Sequence, residues 1–260
     1  MATGFEANAR QVIEITGDDA TSFLQGLITN DIAGAKSGLI YAGLLTPQGK
    51  YLFDFFIIYD GERYLLDVAA ERAADLVQRL TLYKLRAAVA LSVTDLRVFH
   101  LWDTEAGWPD PRDPALGRRL IAAAPPEGLS DEGRSEAWDA LRIGAGIPET
   151  GRELIADESF ILEAGFARLN GVDFRKGCYV GQEVTARMHH KTELRKGLAV
   201  VKIHGVAEVG AEILLGEKVA GRLHSVAGDE GLASLRYDRA AAGPLRAGEA
   251  EIQLVRPLAD

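Results

Sequence analysis

Residues 169–190 read LNGVDFRKGCYVGQEVTARMHH and hold the only cysteine of the 260-residue chain, Cys178, behind two cations, Arg175 and Lys176, and between two glycines, Gly177 and Gly181. Positive charge beside a thiol favours the thiolate, and a helix opening near Gly181 adds to that pull if its N-terminus faces the sulfur. The glycines allow the backbone to come close to a ligand. A buried, inert cysteine fits the same residue types equally well, because free cysteine is commonly buried. His189 and His190 end the stretch. Adjacent histidines diverge in regular structure, and no second cluster of ligands at a diagnostic spacing accompanies them, so no metal site is expected.

One cysteine excludes an intrachain disulfide and suits a reducing compartment. It also falls short of the roughly four thiolates that an iron–sulfur cluster commonly takes. Any part in cluster chemistry is therefore assistance or transient ligation, unless subunits or other ligands complete the set. Acidic residues outnumber basic ones by 38 to 29, a formal charge of −9, which disfavours general attraction to nucleic acid or anionic membranes. Direct tRNA binding is weakened but not removed, since basic residues gather between 187 and 196. No apolar run is long enough to span a bilayer, and the start MATGFEANARQ lacks the features of a secretory signal and is poor as a transit peptide. A cytoplasmic location and no membrane association are expected. With 47% hydrophobic side chains, the chain can bury one large or several moderate cores unaided.

Upstream, residues 11–15 alternate as a strand, and GDDATSFLQG (17–26) places acids before a short helix and glycine after it. Apolar runs at 39–45 and 51–59 flank TPQGK, where Pro47 and Gly49 suit a hairpin turn. A strand over 64–68 and a helix within 70–86, with Ala73, Leu76, Val77, Leu80 and Tyr83 at helical spacing, complete an α+β unit. A second unit opens with extended segments at 88–93 and 97–102. WPDPRDP (108–114) reads as a surface connection, because repeated proline restricts it to extended or turn geometry. A helix is expected over 130–143 with Ser130 as its cap. Short apolar runs at 198–203, 212–215, 219–223, 232–235 and 251–255 favour a small antiparallel barrel or sandwich beyond a boundary near Lys191. The domains expected are 1–90, 91–190 and 191–260. The glycine-rich turns of the last one lack the context of a dinucleotide or phosphate loop, which disfavours nucleotide binding.

KGCYVGQE (176–183) resembles the K-G-C-Y-x-G-Q-E signature of the YgfZ family of folate-binding proteins, which includes mitochondrial iron–sulfur assembly relatives. FLQGLITND (23–31), LLTPQGKYLFDF (44–55), DPRDPALGRRL (110–120), GIP (146–148), VAGRLHS (219–225) and GLASLRYD (231–238) extend the likeness over nearly the whole chain. The resemblance implies the glycine-cleavage T-protein fold: an α+β, three-domain ring of two α+β domains and a C-terminal small antiparallel β-barrel, around a channel that binds tetrahydrofolate or a derivative. It implies Lys176 and Cys178 as the functional pair, with Tyr179, Gln182, Glu183 and Arg187 beside them. It also implies iron–sulfur client or carrier proteins as partners, including enzymes that thiolate tRNA.

Asp54 interrupts the otherwise apolar YLFDFFIIY (51–59), and a carboxylate there needs a partner or a polar cavity. T-proteins use an aspartate of the corresponding strand in folate-dependent chemistry, which makes Asp54 a candidate pterin contact; the alternative is a carboxylate held by an arginine such as Arg86. T-proteins commonly carry paired aspartates here, and this chain has Phe53 before its one. Glu163 in ILEAG is a second folate candidate, as an acceptor for the pterin's donors, with a solvated helix-face glutamate as the equal alternative. Tyr83 and Arg86 are candidates for the folate tail, and their helical spacing fits a structural role as well. The function expected is a tetrahydrofolate-binding accessory to assembly or repair of iron–sulfur proteins. The alternative is an enzyme, a folate-dependent aminomethyltransferase or demethylase, which the thiol-bearing signature disfavours because aminomethyl transfer has no evident need of a thiol.

Overall fold

In the computed structural model, which describes residues 3–129, 135–191 and 194–259, YLFDFFIIY forms the strand Tyr51–Tyr59, buried along eight of its nine residues. Burial on both faces explains why its sequence is almost continuously apolar rather than alternating. The strand belongs to a five-stranded antiparallel sheet in the order Ile40–Leu45, Tyr51–Tyr59, Tyr64–Ala69, Arg10–Thr16, Ala90–Val93. Phe53, Phe55 and Ile57 point to one face, where they join Ile13, Ile15 and Leu66 under the helix Ala73–Lys84. Leu76 and Leu80 of that helix are fully buried there, each contributing about 1.5–3 kcal/mol relative to an exposed side chain. Thr46 N to Lys50 O at 2.8 Å closes the TPQGK hairpin.

The sheet's edge strand differs from expectation. Residues 88–93 were expected to open the second unit, yet Ala90–Val93 pairs with Arg10–Thr16 in the first sheet. A separate four-stranded sheet runs Thr3–Glu6, Arg97–Trp102, Arg118–Ala122, Trp108–Pro109. Local patterning marks a strand but carries no information on which partner it takes. WPDPRDP is a surface connection only in part: Pro109 and Pro114 are exposed, whereas Asp110 and Arg112 are 3% and 7% exposed. Proline restricts backbone angles, not depth, and these charges go inward because each finds the other.

Both sheets lie in one unit, residues Met1–Arg134 with Leu169–Gln182; the second unit is Ser135–Arg168 with Glu183–Asp260. In the second unit, six strands close into the expected barrel, in the order Lys196–His204, Glu230–Arg236, Lys218–Ala227, Glu212–Leu215, Leu245–Ala247, Ala250–Pro257. Leu245–Ala247 escaped the sequence reading because three residues are too few to show a period. The glycine of VAGRLHS follows from the barrel's curvature: a Cβ on Gly221 would meet Ser234 O at 2.0 Å. The helix Ser135–Ala145 is joined to the barrel by Arg142, fully buried, which reaches Asp139, Glu153 and the Ser225 hydroxyl. The expected cap, Ser130, lies outside the described residues. The fold class is therefore mixed α and β with a closed, six-stranded C-terminal barrel.

Candidate functional site

The short helix Ala20–Gln25 ends at Gly26, and the carbonyls at such an end lack helical partners and carry partial negative charge. Lys176 fills that gap. Its Nζ donates to Gln25 O at 2.9 Å, Ile28 O at 2.5 Å and Asn30 O at 2.9 Å, and stands 5.1 Å from the centre of the Tyr179 ring. Further bonds join the same two segments: Thr29 Oγ1 to Gly171 O at 2.6 Å and Asn30 Nδ2 to Asn170 O at 2.8 Å. FLQGLITND is thus the platform on which the signature loop is built. Burial pushes the Lys176 ammonium down to about 8, against the pull of Asp31 and Asp173.

At the loop's other end, Gly181 adopts φ +84°, and a Cβ there would meet Thr46 O at 2.6 Å. The TPQGK hairpin is the second platform. Between the two, Gly177 faces open space and Cys178 is exposed rather than buried. The two cations beside it in sequence have partners of their own. Lys176 spends all three N–H bonds on carbonyls, and Arg175, its side chain 95% exposed, lies 3.8 Å from Asp173. Tyr179 is buried, Gln182 opens the helix Gln182–Lys191, and Glu183 and Arg187 are exposed along it. His189 and His190 are exposed and pack edge to face. Among the described residues no group of three or more His, Cys, Asp or Glu could hold a metal ion.

Asp54 does not meet Arg86, which is exposed beyond the helix end. It is 4% exposed, and its oxygens accept from Tyr51 Oη at 2.7 Å and Tyr41 Oη at 3.0 Å. Burial, then the Asp54 charge, raise the Tyr41 hydroxyl well above its usual range and keep it a donor. Around them lies a buried lattice of charge. Arg119 bridges Asp67 at 2.6 Å and Asp110 at 2.9 Å, Arg112 grips both Asp110 oxygens, and Arg10 closes on Asp67 at 2.5 Å. The guanidiniums of Arg119, Arg112 and Arg10 lie 3.7, 4.7 and 5.6 Å from the Phe56 ring centre. Three arginines face three aspartates, Asp54 included, so the cluster is neutral overall and buried charge is tolerable. His100 beside it is held neutral, first by burial and then by Arg119. Arg10, Asp67, Asp110, Arg112 and Arg119 were all missed by the sequence reading. The signal was available, since Asp67 interrupts the buried strand YLLDVA just as Asp54 interrupts its neighbour.

The remaining candidates are dispersed. Tyr83 packs partly buried against the apolar core of the first unit. Glu163 lies in the second unit, in a turn and not on a helix face, 3.4 Å from Lys196. As a test of fit to a pterin, Asp54 fails: each oxygen already accepts a tyrosine hydroxyl and the residue is closed to solvent. Glu163, with its side chain 20% exposed, retains room to accept.

The fold as a whole matches a known architecture. The glycine cleavage system aminomethyltransferase T from Bartonella henselae superposes with a TM-score of 0.77 over 99% of this chain and 85% of that one, at 15% identity, a likeness of fold alone. Residues 195–259 match the family described as CAF17, C-terminal beta-barrel domain. The human mitochondrial iron–sulfur cluster assembly factor IBA57 is 30% identical, covering 98% of this chain and 84% of that protein; the mouse protein is 30% identical over 97% and 82%. The chain therefore belongs to the IBA57 family of iron–sulfur cluster assembly factors. A Neurospora crassa homolog is 34% identical over 72% of this chain but 51% of its own length, so the chain spans about half of that fungal relative. These relatives carry the IBA57 name and not that of YgfZ. They are also named as mitochondrial proteins, which overturns the cytoplasmic expectation. A reducing environment, all that one free cysteine argued for, is not peculiar to the cytoplasm. No helix among the described residues is long and apolar enough to cross a membrane.

Proposed function

We propose that this chain is an accessory factor in assembling or repairing iron–sulfur proteins, and that Cys178 is its point of contact with a cluster, or with the client or carrier protein that holds one. The observation that supports this reading is one exposed thiol on a loop seated at both ends, by Lys176 on the 25–30 carbonyls and by Gly181 on the hairpin. A thiolate is the ligand form of cysteine, and one ligand suits handing over a cluster rather than keeping it. The test is complementation. In cells lacking the protein, iron–sulfur enzyme activities, those of tRNA-thiolating enzymes among them, are expected to return with the intact chain and to stay depressed with Cys178→Ser. Full recovery with the serine variant refutes the role given to the thiol.

Tetrahydrofolate, or a derivative, belongs to the proposal through the fold and through Glu163, not through Asp54. Calorimetry with tetrahydrofolate is expected to register binding by the intact protein, weakened in Glu163→Gln at an unchanged melting temperature. Asp54→Asn is expected instead to lower the melting temperature, because it disturbs the buried cluster. Absence of any heat with the intact protein removes folate and leaves the assembly role standing. The alternative, folate-dependent aminomethyl transfer or demethylation, has fold likeness behind it and no open carboxylate at Asp54.

A further inference from the structure

Three carbonyl oxygens, from Gln25, Ile28 and Asn30, converge on one point and are met there by the three N–H bonds of one ammonium. Donor and acceptor numbers match, since a lysine ammonium has three donors and no acceptor. The Tyr179 ring lies over the same point at 5.1 Å, and an aromatic face attracts a cation. Asp31 and Asp173 add negative charge in the surroundings. Backbone carbonyls and an aromatic ring thus form a cage around one positive charge, which the chain itself supplies. The lysine as a whole is 6% exposed. From this point the chain runs directly to Gly177 and Cys178 in the open, and is gripped again at Tyr179, buried, and Gly181, wedged against Thr46.

We propose that Lys176 is a positioning residue: its ammonium is an internal cation that occupies a carbonyl cage and holds the 177–180 loop with the Cys178 thiol outward, without acting as acid, base or charge neighbour of that thiol. The lysine crosslinks segments 146 to 151 residues apart, and the cysteine inherits its position. The inference stands whether or not the thiol ever meets a cluster.

Chemical rescue tests it. Lys176→Ala leaves the cage and a channel the length of three carbons, which n-propylammonium fits with its three donors; tetramethylammonium carries the same charge and no donor. In Lys176→Ala, amide hydrogen exchange over 174–181 is expected to quicken by on the order of tenfold, because charge-assisted bonds that restrained the loop are gone. Propylammonium chloride is expected to slow it again, and tetramethylammonium chloride at equal concentration is not. The pH midpoint for alkylation of Cys178 is expected to be the same in both proteins, a readout that separates holding the thiol from charging it. An alkylation midpoint that rises in the variant while exchange is unaltered overturns the proposal, and so does equal rescue by the two salts. Should Lys176→Ala fail to fold, Lys176→Met keeps the apolar stem and loses the donors. It must then show the quickened exchange with an unmoved alkylation midpoint, and any other result counts against the clamp.

Discussion

Arg119→Ala is expected to destabilise the protein by about 3–5 kcal/mol, the usual cost of leaving a buried charge without its partner. Arg119 is 3% exposed and is the one guanidinium that joins Asp67 to Asp110. Without it, Asp67 keeps Arg10 and Asp110 keeps Arg112, and with Asp54 the buried cluster carries an uncompensated negative charge. Urea denaturation measures the loss. The exposed pair Arg236 and Asp238 serves as the control, since Arg236→Ala leaves the midpoint where it was; equal midpoints for the two variants would show that the lattice does not hold the sheets together. The pH dependence carries the same sign. Burial works to raise the Asp110 carboxyl, and the Arg112 and Arg119 charges overcome it and hold it well below the usual range. A depressed carboxylate stabilises the fold above its unfolded value of about 3.9, and that contribution is lost as pH falls below it. Arg119→Ala is therefore expected to flatten the acid limb of the stability profile.

Gly181→Ala is expected to lower the melting temperature by several degrees while Gly177→Ala does not. At φ +84° an L side chain costs about 1–2 kcal/mol from the backbone alone, which for a chain of this size is roughly 2–8 °C. The added methyl also meets the Thr46 carbonyl at 2.6 Å, and a hairpin backbone closed by its own hydrogen bonds cannot yield as a flexible side chain does. Gly177, four residues earlier in the same signature, has nothing within 4 Å of its missing Cβ. Thermal melting of the two variants side by side decides whether the loop rests on the hairpin. Matching melting temperatures would mean that it does not.

Much of this architecture was legible in short stretches of sequence. TPQGK with apolar runs on either side specified the hairpin, GDDATSFLQG the first short helix, and the spaced runs after residue 196 five of the six barrel strands. Cys178 could be singled out because its residue type is rare in this chain, and its flanking glycines placed it on a loop. Lys176 was legible as important and not as to why, since nothing near it in the chain announces three carbonyls waiting near residue 28. The same limit governed Asp54, whose oddness in an apolar strand was plain while its tyrosine partners, Tyr41 and Tyr51, were neither the pterin nor the Arg86 offered for it.

Turn chemistry, capping and periodicity act between residues a few positions apart, so they are written along the chain and can be read from it. The alliances that make the site run between distant positions: Arg119 to Asp67 across 52 residues, Lys176 to Ile28 across 148. A buried charge is stable wherever opposite charge or dipoles happen to be folded against it, and sequence neighbours do not say where that is. Thus DPRDP, by local rules a solvent-facing link, buries Asp110 and Arg112 in the charge cluster of the first unit, and the lysine two residues before the thiol spends its donors on carbonyls near residue 28.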